Sequence, residues 1–219
     1  MDLKIFTAIL GHTSSVVLVI GLLLGAVLYK KLSSLHKSIL YYLVLMFCID
    51  AASYVLIKLY RNNLIIMHVF SLTELLFFVY FYNRQLLPKP KPLLLGIGAL
   101  GAFYIIAEFI NYFVIGNFSV KYFQPYAKVA DNFVVIIMSL YFFYEKANGY
   151  PHNKLANVKL NTVILLFFTL NAIMFLPFNF FINEQSGVQF YVWNINVCII
   201  IAFYVYLIGL IWQEGNRRK

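Results

Sequence analysis

The sequence predicts an all-α, polytopic membrane protein in which seven transmembrane helices form a single domain over residues 1–219. Two observations carry this prediction. Hydrophobic residues make up 63% of the chain, charged residues make up 11%, and the mean hydropathy is +0.82, far above the range of soluble domains. The apolar residues also form seven runs, and each run reaches the roughly 20 residues that a helix needs to cross a hydrocarbon core about 30 Å thick.

The seven runs follow one another with short connections. Span one, residues 5–29, is too long for the core of a signal peptide and lacks a basic region before it, so we expect it to remain as a helix. The segment 84-RQLLPKPKP-92 alternates Pro and Lys and predicts a stiff, extended corner after span three. Pro177 predicts a kink near the end of span six. The remaining spans are residues 38–60, 64–83, 92–115, 125–145, 159–182 and 188–212.

The distribution of Lys and Arg along the chain predicts the orientation, because loops rich in these residues face the cytoplasm. One side has twelve of them: Lys30, Lys31, Lys37, Arg84, Lys89, Lys91, Lys146, Lys154, Lys159, Arg217, Arg218 and Lys219. The other side has five: Lys4, Lys58, Arg61, Lys121 and Lys128. The amino terminus is therefore predicted outside and the carboxyl terminus in the cytoplasm. The net charge of +9 then reflects topology, and no nucleic-acid partner is expected.

Titratable and amide side chains are predicted to form one layer between the membrane midplane and the outer surface, while the inner halves of most spans are almost purely apolar. In span three, His68, Ser71 and Glu74 follow at three-residue steps and cover a wedge about 120° wide. An ionisable side chain that faces lipid costs about 2.5 to 3.5 kcal/mol, so the polar faces should point inward. The candidate ligand-binding residues are His68, Glu74, Asp50, Glu108, Asp131, Asn171 and Asn194.

Lys128 is the one lysine placed within this layer, and we expect it to pair with Asp131, three residues on, while snorkelling outward. The other carboxylates then require protons, a cation or a ligand. The sequence therefore favours an outward-opening polar pocket for a small-molecule or cationic ligand, as in a receptor, a sensor or a transporter. Its expected partners are the lipid bilayer, this ligand, and a membrane or cytoplasmic signalling partner.

Two other classes of function remain open. A metal-dependent membrane hydrolase would use a divalent metal held by His68, Glu74, His12 and Asp50, although no HxxxH or HExxH pair occurs. Membrane hydrolases of the alkaline ceramidase and adiponectin receptor type carry a His pair on the last helix, and the last span here has no histidine. A structural or assembly protein would use the polar groups only to fix helix packing, at about 0.6 kcal/mol each. Retinal is excluded as a cofactor because the last span also has no lysine.

Two short motifs carry a resemblance to a known group. His68 and Glu74 form a His-x5-Glu pair in span three, and 193-WNIN-196 lies in the last helix. With these motifs, and in its length, topology and composition, the sequence resembles small uncharacterised seven-span integral membrane proteins of Bacteroidota. The resemblance implies a multi-pass protein of a bacterial inner membrane and implies no known activity.

Overall fold

A computed structural model describes residues 3–60, 64–116, 124–148, 157–183 and 188–217, and all the regular structure in these ranges is helical. A 3-10 turn at Tyr29–Lys31 follows the first helix, and π-helical turns at Tyr82–Leu86 and Ile110–Val114 extend the third and fourth. The described α-helices are α1 (Leu3–Leu28), α2 (Ser34–Tyr60), α3 (Leu64–Phe81), α4 (Pro92–Phe109), α5 (Tyr126–Asn148), α6 (Val158–Phe175), α7 (Phe178–Asn183) and α8 (Val188–Arg217).

Seven of the described helices are long and apolar enough to cross a membrane. They coincide with the seven predicted spans, and only the short α7 falls outside this set. The all-α class and the number of spans are therefore confirmed. The orientation of the termini stays a prediction.

The sixth span ends earlier than the sequence predicts. α6 ends at Phe175, two residues before Pro177, and a separate short helix begins at Phe178. Because proline lacks an N–H and its ring obstructs the carbonyl of the preceding turn, the helix is interrupted here where only a kink was expected. Gln124 Nε2 donates to the carbonyl oxygens of Phe175 and Leu176 at 2.8 and 2.7 Å. This side chain therefore satisfies two of the backbone acceptors that the end of α6 leaves open.

The chain divides into two compact units, which are described separately. The three-helix unit comprises Met1–Asn63 and Phe180–Lys219 and is built on α1, α2 and α8. The four-helix unit comprises Leu64–Asn179 and is built on α3, α4, α5 and α6.

Close helix contacts hold the three-helix unit together. α1 packs most extensively against α8 and also contacts α2. A Cβ atom at Gly21 would lie 2.7 Å from Ile208 Cδ1, so the absence of a side chain lets the two backbones approach. The ring of Tyr42 on α2 meets the edge of Phe203 on α8 with centroids 6.0 Å apart.

The four-helix unit is organised around α5, which contacts α3, α4 and α6. The side of α5 that faces these helices buries apolar residues such as Val135 and Met138 together with Lys128, Asp131 and Asn132. Aromatic rings fill the adjoining space, and Phe78 meets Phe168 edge to face with centroids 4.8 Å apart. α5 therefore brings charged groups into an interior that is largely filled by apolar and aromatic side chains.

The corner between α3 and α4 is fixed by side-chain contacts as well as by proline. Asn83 Oδ1 accepts a 2.8 Å hydrogen bond from the backbone N–H of Lys91, directly before α4. Lys91 Nζ donates to Glu145 Oε1 on α5 at 2.6 Å, and Tyr141 donates to the same oxygen at 2.8 Å. The hydrogen bond with Glu145 raises the pKa of Lys91 above its ordinary value. The pair is half-buried and therefore stays in contact with water.

Gly98 is expected to be essential for the packing of α4 on α3, and Gly98→Val should lower the free energy of unfolding by about 1–3 kcal/mol through overpacking. A Cβ atom there would lie 2.5 Å from Val79 Cγ2, and the β-branched Val79 has few alternative rotamers. Gly96→Val on the same helix is the matched control, because a Cβ atom at Gly96 meets nothing within 4 Å. Equal losses for the two variants in a detergent unfolding titration would contradict this packing.

Candidate functional site

The interior of the four-helix unit contains a cluster of titratable side chains that begins on α3. His68, Ser71 and Glu74 are all buried there. Ser71 Oγ donates to the carbonyl oxygen of Met67 at 2.8 Å, so its hydroxyl is bonded within its own helix. The three-residue spacing therefore turns His68 and Glu74 toward the interior of this unit.

Lys128 on α5 links two carboxylates from different helices. Its Nζ donates a hydrogen bond to Glu74 Oε2 on α3 and a second one to Asp131 Oδ2 at 2.7 Å. The ammonium also lies 4.3 Å from the centroid of the Phe70 ring, close enough for a cation–π contact. The pairing of Lys128 with Asp131 is therefore observed, and Glu74 is an additional partner.

The expected outward snorkelling of Lys128 is wrong, since only 3% of its side chain is exposed. Two carboxylates and an aromatic ring supply partners inside the unit, so the ammonium gains nothing by extending toward water. Sequence spacing could find the contact three residues away on the same helix. It could not find Glu74, which lies on another helix.

Glu108 on α4 lies near His68, with 3.7 Å between Glu108 Oε1 and His68 Nε2. This separation is longer than a hydrogen bond. Both carboxylate oxygens of Glu108 are buried and have no hydrogen-bond partner in the described part of the chain. The rings of Phe109, Tyr112 and Phe113 surround His68 with centroids 6.1, 6.0 and 5.4 Å from its own. An acid therefore lies in a buried, aromatic environment.

Asp131 and its neighbour Asn132 carry further polar atoms that are buried without a partner. Asp131 Oδ1 and both amide atoms of Asn132 find no hydrogen-bond partner among the residues described. A buried polar atom without a partner costs about 1–3 kcal/mol, so such atoms usually indicate a bound group or a functional requirement. The sequence analysis did not select Asn132, although it immediately follows Asp131 in an apolar span.

A second polar cluster in this unit was missed by the sequence analysis. Tyr82 donates to Asn161 Oδ1 at 2.7 Å, and Ser139 Oγ donates to the same atom at 3.1 Å. Asn161 Nδ2 donates in return to the carbonyl oxygen of Ser139 at 3.1 Å. Tyr82 follows His68 by 14 residues, which corresponds to about 21 Å along the helix axis at 1.5 Å per residue. The expectation that the inner halves of the spans are almost purely apolar is therefore incomplete.

Asn171 has a local structural role in the described contacts. The residue is buried in α6, and its Nδ2 donates to the carbonyl oxygen of Phe167 at 2.9 Å within the same helix. Its role as a ligand contact stays a prediction.

The other predicted site residues belong to the three-helix unit. Asp50 is exposed on α2 and accepts a 2.5 Å hydrogen bond from Ser15 Oγ on α1, so it does not point into the interior as expected. The Ser15 hydroxyl provides a donor at the surface of the helix pair. His12 is also exposed, on α1. Asn194 on α8 is buried, and its Oδ1 has no hydrogen-bond partner in the described ranges.

Asn194 borders a cavity of about 510 Å³ in the three-helix unit. The lining is otherwise formed by apolar and aromatic side chains and Cys198, and includes Phe6, Tyr191, Ile195, Ile199 and Ala202. This lining offers a ligand few polar contacts. The cavity therefore lacks the charged groups that the four-helix unit contains.

No group of three or more His, Cys, Asp and Glu side chains in the described ranges is arranged to hold a metal ion. His68 and Glu74 belong to one unit, while His12 and Asp50 belong to the other. The metal site therefore stays a prediction that has no supporting arrangement in either unit.

No protein-family model matches this chain, and no curated protein and no solved structure matches it. The class of protein is therefore defined by its fold. It is an all-α, multi-pass membrane protein with seven helices that are long and apolar enough to span a bilayer. One of its two units encloses carboxylates, a lysine and a histidine.

Proposed function

We propose that the protein binds a small cationic ligand within the membrane, through the buried carboxylates of its four-helix unit, and acts as a receptor, sensor or transporter. The observation that carries this proposal is an imbalance of buried charge. The buried titratable acids among the described residues are Glu74, Glu108 and Asp131, and the buried bases are Lys128 and His68. When His68 is neutral, two negative charges remain uncompensated.

Such an excess of negative charge is costly in a membrane interior, because a carboxylate needs a proton, a cation or hydrogen-bond donors to remain there. Lys128 is already shared between Glu74 and Asp131. Asp131 Oδ1 and both oxygens of Glu108 have no hydrogen-bond partner within the ranges described. A cationic ligand would supply the missing positive charge, which supports cation binding over a purely structural role.

Cation binding is expected to raise the unfolding temperature of the detergent-purified protein. At a ligand concentration of about 100 Kd, binding to the folded state contributes about 2.7 kcal/mol. We would add sodium, potassium, lithium, calcium, tetramethylammonium and ethanolamine separately, at constant ionic strength. We expect at least one of them to stabilise the wild type, and the effect to fall in Glu108→Gln or Asp131→Asn.

Glu145→Gln is the matched control, because it removes a carboxylate from the same unit that is half-buried and paired with Lys91. It should leave the cation effect unchanged. If none of the six cations stabilised the wild type between pH 5 and 9, the buried carboxylates would have to be protonated and the proposal would fail.

The orientation and the membrane belong to the same proposal. The distribution of Lys and Arg supports an amino terminus outside and a carboxyl terminus in the cytoplasm. The resemblance to small seven-span proteins of Bacteroidota supports a bacterial inner membrane. A receptor of this architecture would pass its signal to a membrane or cytoplasmic partner.

A further inference from the structure

Glu108 differs from the other two buried carboxylates in its partners. Glu74 and Asp131 both accept hydrogen bonds from Lys128, so the two carboxylates share its positive charge. Glu108 Oε1 lies 3.7 Å from His68 Nε2, and neither of its oxygens has a hydrogen-bond donor in the described chain. Since Glu108 is 9% exposed, water cannot fully replace these donors. Glu108 is therefore the carboxylate with most to gain from an added cation.

Aromatic residues lie next to Glu108 on its own helix and contact its neighbour His68. Tyr104 and Tyr112 both interact electrostatically with Glu108, four residues before and four residues after it. Phe109 and Phe113 lie beside Tyr112 against the His68 ring. Tyr112 and Phe113 belong to the π-helical turn Ile110–Val114, and π-helical turns within helices are frequent at functional sites. The result is an acid and a neighbouring histidine beside four aromatic residues.

The tyrosines before and after Glu108 reach the surface of the four-helix unit, while both carboxylate oxygens are buried. Tyr104 is 45% exposed, and Tyr112 is half-buried. A ligand could therefore approach along the tyrosines and place its charge near Glu108. This approach does not require the ion cluster of Lys128 to open.

The type of cation follows from these neighbours. Calcium takes six to eight oxygen ligands and magnesium needs a nearly octahedral set, and no metal-binding group of three acidic, His or Cys side chains occurs in the described ranges. An organic ammonium needs a carboxylate for its charge and aromatic faces for its alkyl surface. Glu108 and the surrounding rings provide both.

We propose that Glu108, together with His68, Tyr104, Phe109, Tyr112 and Phe113, binds an organic ammonium group. This inference rests on the proposed cation binding and names the chemical class of the cation. The ammonium belongs either to a free small amine or to the headgroup of an amine-bearing lipid. Both sources present the same group to Glu108.

The test measures binding of tetramethylammonium and ethanolamine to the full-length protein in lipid-free detergent by isothermal titration calorimetry. Glu108→Gln removes the charge and is expected to weaken binding at least tenfold. Tyr112→Leu removes one ring and is expected to weaken binding about 2- to 30-fold, from the range of single cation–π contacts. Tyr112→Phe keeps the ring and should bind like the wild type. Glu145→Gln and Tyr141→Leu are the matched controls, since Glu145 pairs with Lys91 elsewhere in the unit and Tyr141 donates to Glu145.

A second measurement distinguishes the two sources of the ammonium. We would reconstitute the wild type and Glu108→Gln into vesicles of equal phosphatidylethanolamine and phosphatidylglycerol and identify retained lipids by native mass spectrometry. Preferential retention of phosphatidylethanolamine by the wild type alone would support a lipid headgroup. Binding of free ethanolamine in pure phosphatidylglycerol vesicles, lost in Glu108→Gln, would support a small amine.

The outcomes separate this inference from the proposed function. Stabilisation by sodium, potassium, lithium or calcium, without binding of any ammonium, would overturn the inference and leave cation binding intact. Ammonium binding that is unchanged in both Glu108→Gln and Tyr112→Leu would overturn this location. If Glu108→Gln failed to fold, the Tyr112 variants would test the location: weaker ammonium binding in Tyr112→Leu but not in Tyr112→Phe would support it, and unchanged binding in both would overturn it. No stabilisation by any cation would overturn both proposals.

Discussion

Lys128→Met is expected to lower the free energy of unfolding by about 3–5 kcal/mol, the usual cost of removing one partner from a buried ion pair. The substitution keeps most of the side-chain length and removes the ammonium that bonds Glu74 and Asp131. Two buried carboxylates would then face each other without a cation. The loss would be measured in detergent micelles by titration with sodium dodecyl sulfate, with helicity as the signal.

Two further variants test the cause of that loss. Adding Glu74→Gln and Asp131→Asn to Lys128→Met should restore much of the stability, because all three charges are then absent. Lys91→Met is the matched control, since Lys91 has a carboxylate partner of its own but remains half-buried and hydrated. Lys91→Met should therefore lower the free energy of unfolding much less than Lys128→Met. A stability of Lys128→Met equal to that of the wild type would show that the buried cluster does not hold the helices together.

Asn161→Leu is expected to cost about 1–3 kcal/mol, because it leaves the buried hydroxyl of Tyr82 without its acceptor while changing the side-chain volume little. Tyr82 and Ser139 both donate to Asn161 Oδ1, so the substitution affects three helical segments at once. The same detergent titration would measure the loss. Tyr82→Phe in the Asn161→Leu background should recover part of the stability, since the unsatisfied hydroxyl is removed.

Asn171→Leu provides the comparison on the same helix. Asn171 is as deeply buried, but its amide donates to the Phe167 carbonyl within α6 and connects no second helix in this contact. Asn171→Leu should therefore lower the free energy of unfolding less than Asn161→Leu does. A larger loss for Asn171→Leu would mean that the Tyr82, Ser139 and Asn161 contacts are not the main polar link of this unit.

Much of the fold was predictable because it depends on local properties of the chain. Apolar runs of sufficient length predicted seven spans, and the described helices agree with them. Pro177 correctly indicated a disturbance in span six, but the sequence could not distinguish a kink from an interrupted helix. That difference depends on the supply of donors to the open carbonyls. Gln124, 51 residues before Phe175, is one such donor.

The site was predictable only in part, for the same physical reason. Spacing along α3 placed His68 and Glu74 on one face because helical geometry is local. The partners of Lys128 depend on which helices are neighbours, and Glu74 lies 54 residues away along the chain. Asn161 resembled any amide in an apolar run, and its contact with Tyr82 spans 79 residues. Only tertiary structure could distinguish it from Asn171.

The three-helix unit is discontinuous in the sequence, and this has a consequence for biosynthesis. α1 and α2 emerge from the ribosome before the four-helix unit, whereas α8, the main packing partner of α1, emerges after it. At about 5–20 residues per second, the chain between the end of α2 and the start of α8 takes roughly 6–25 s to synthesise. Ser15 and Asp50 both lie in the first segment, so their hydrogen bond can form during that interval. This hydrogen bond can thus link α1 and α2 while α8 is still being synthesised.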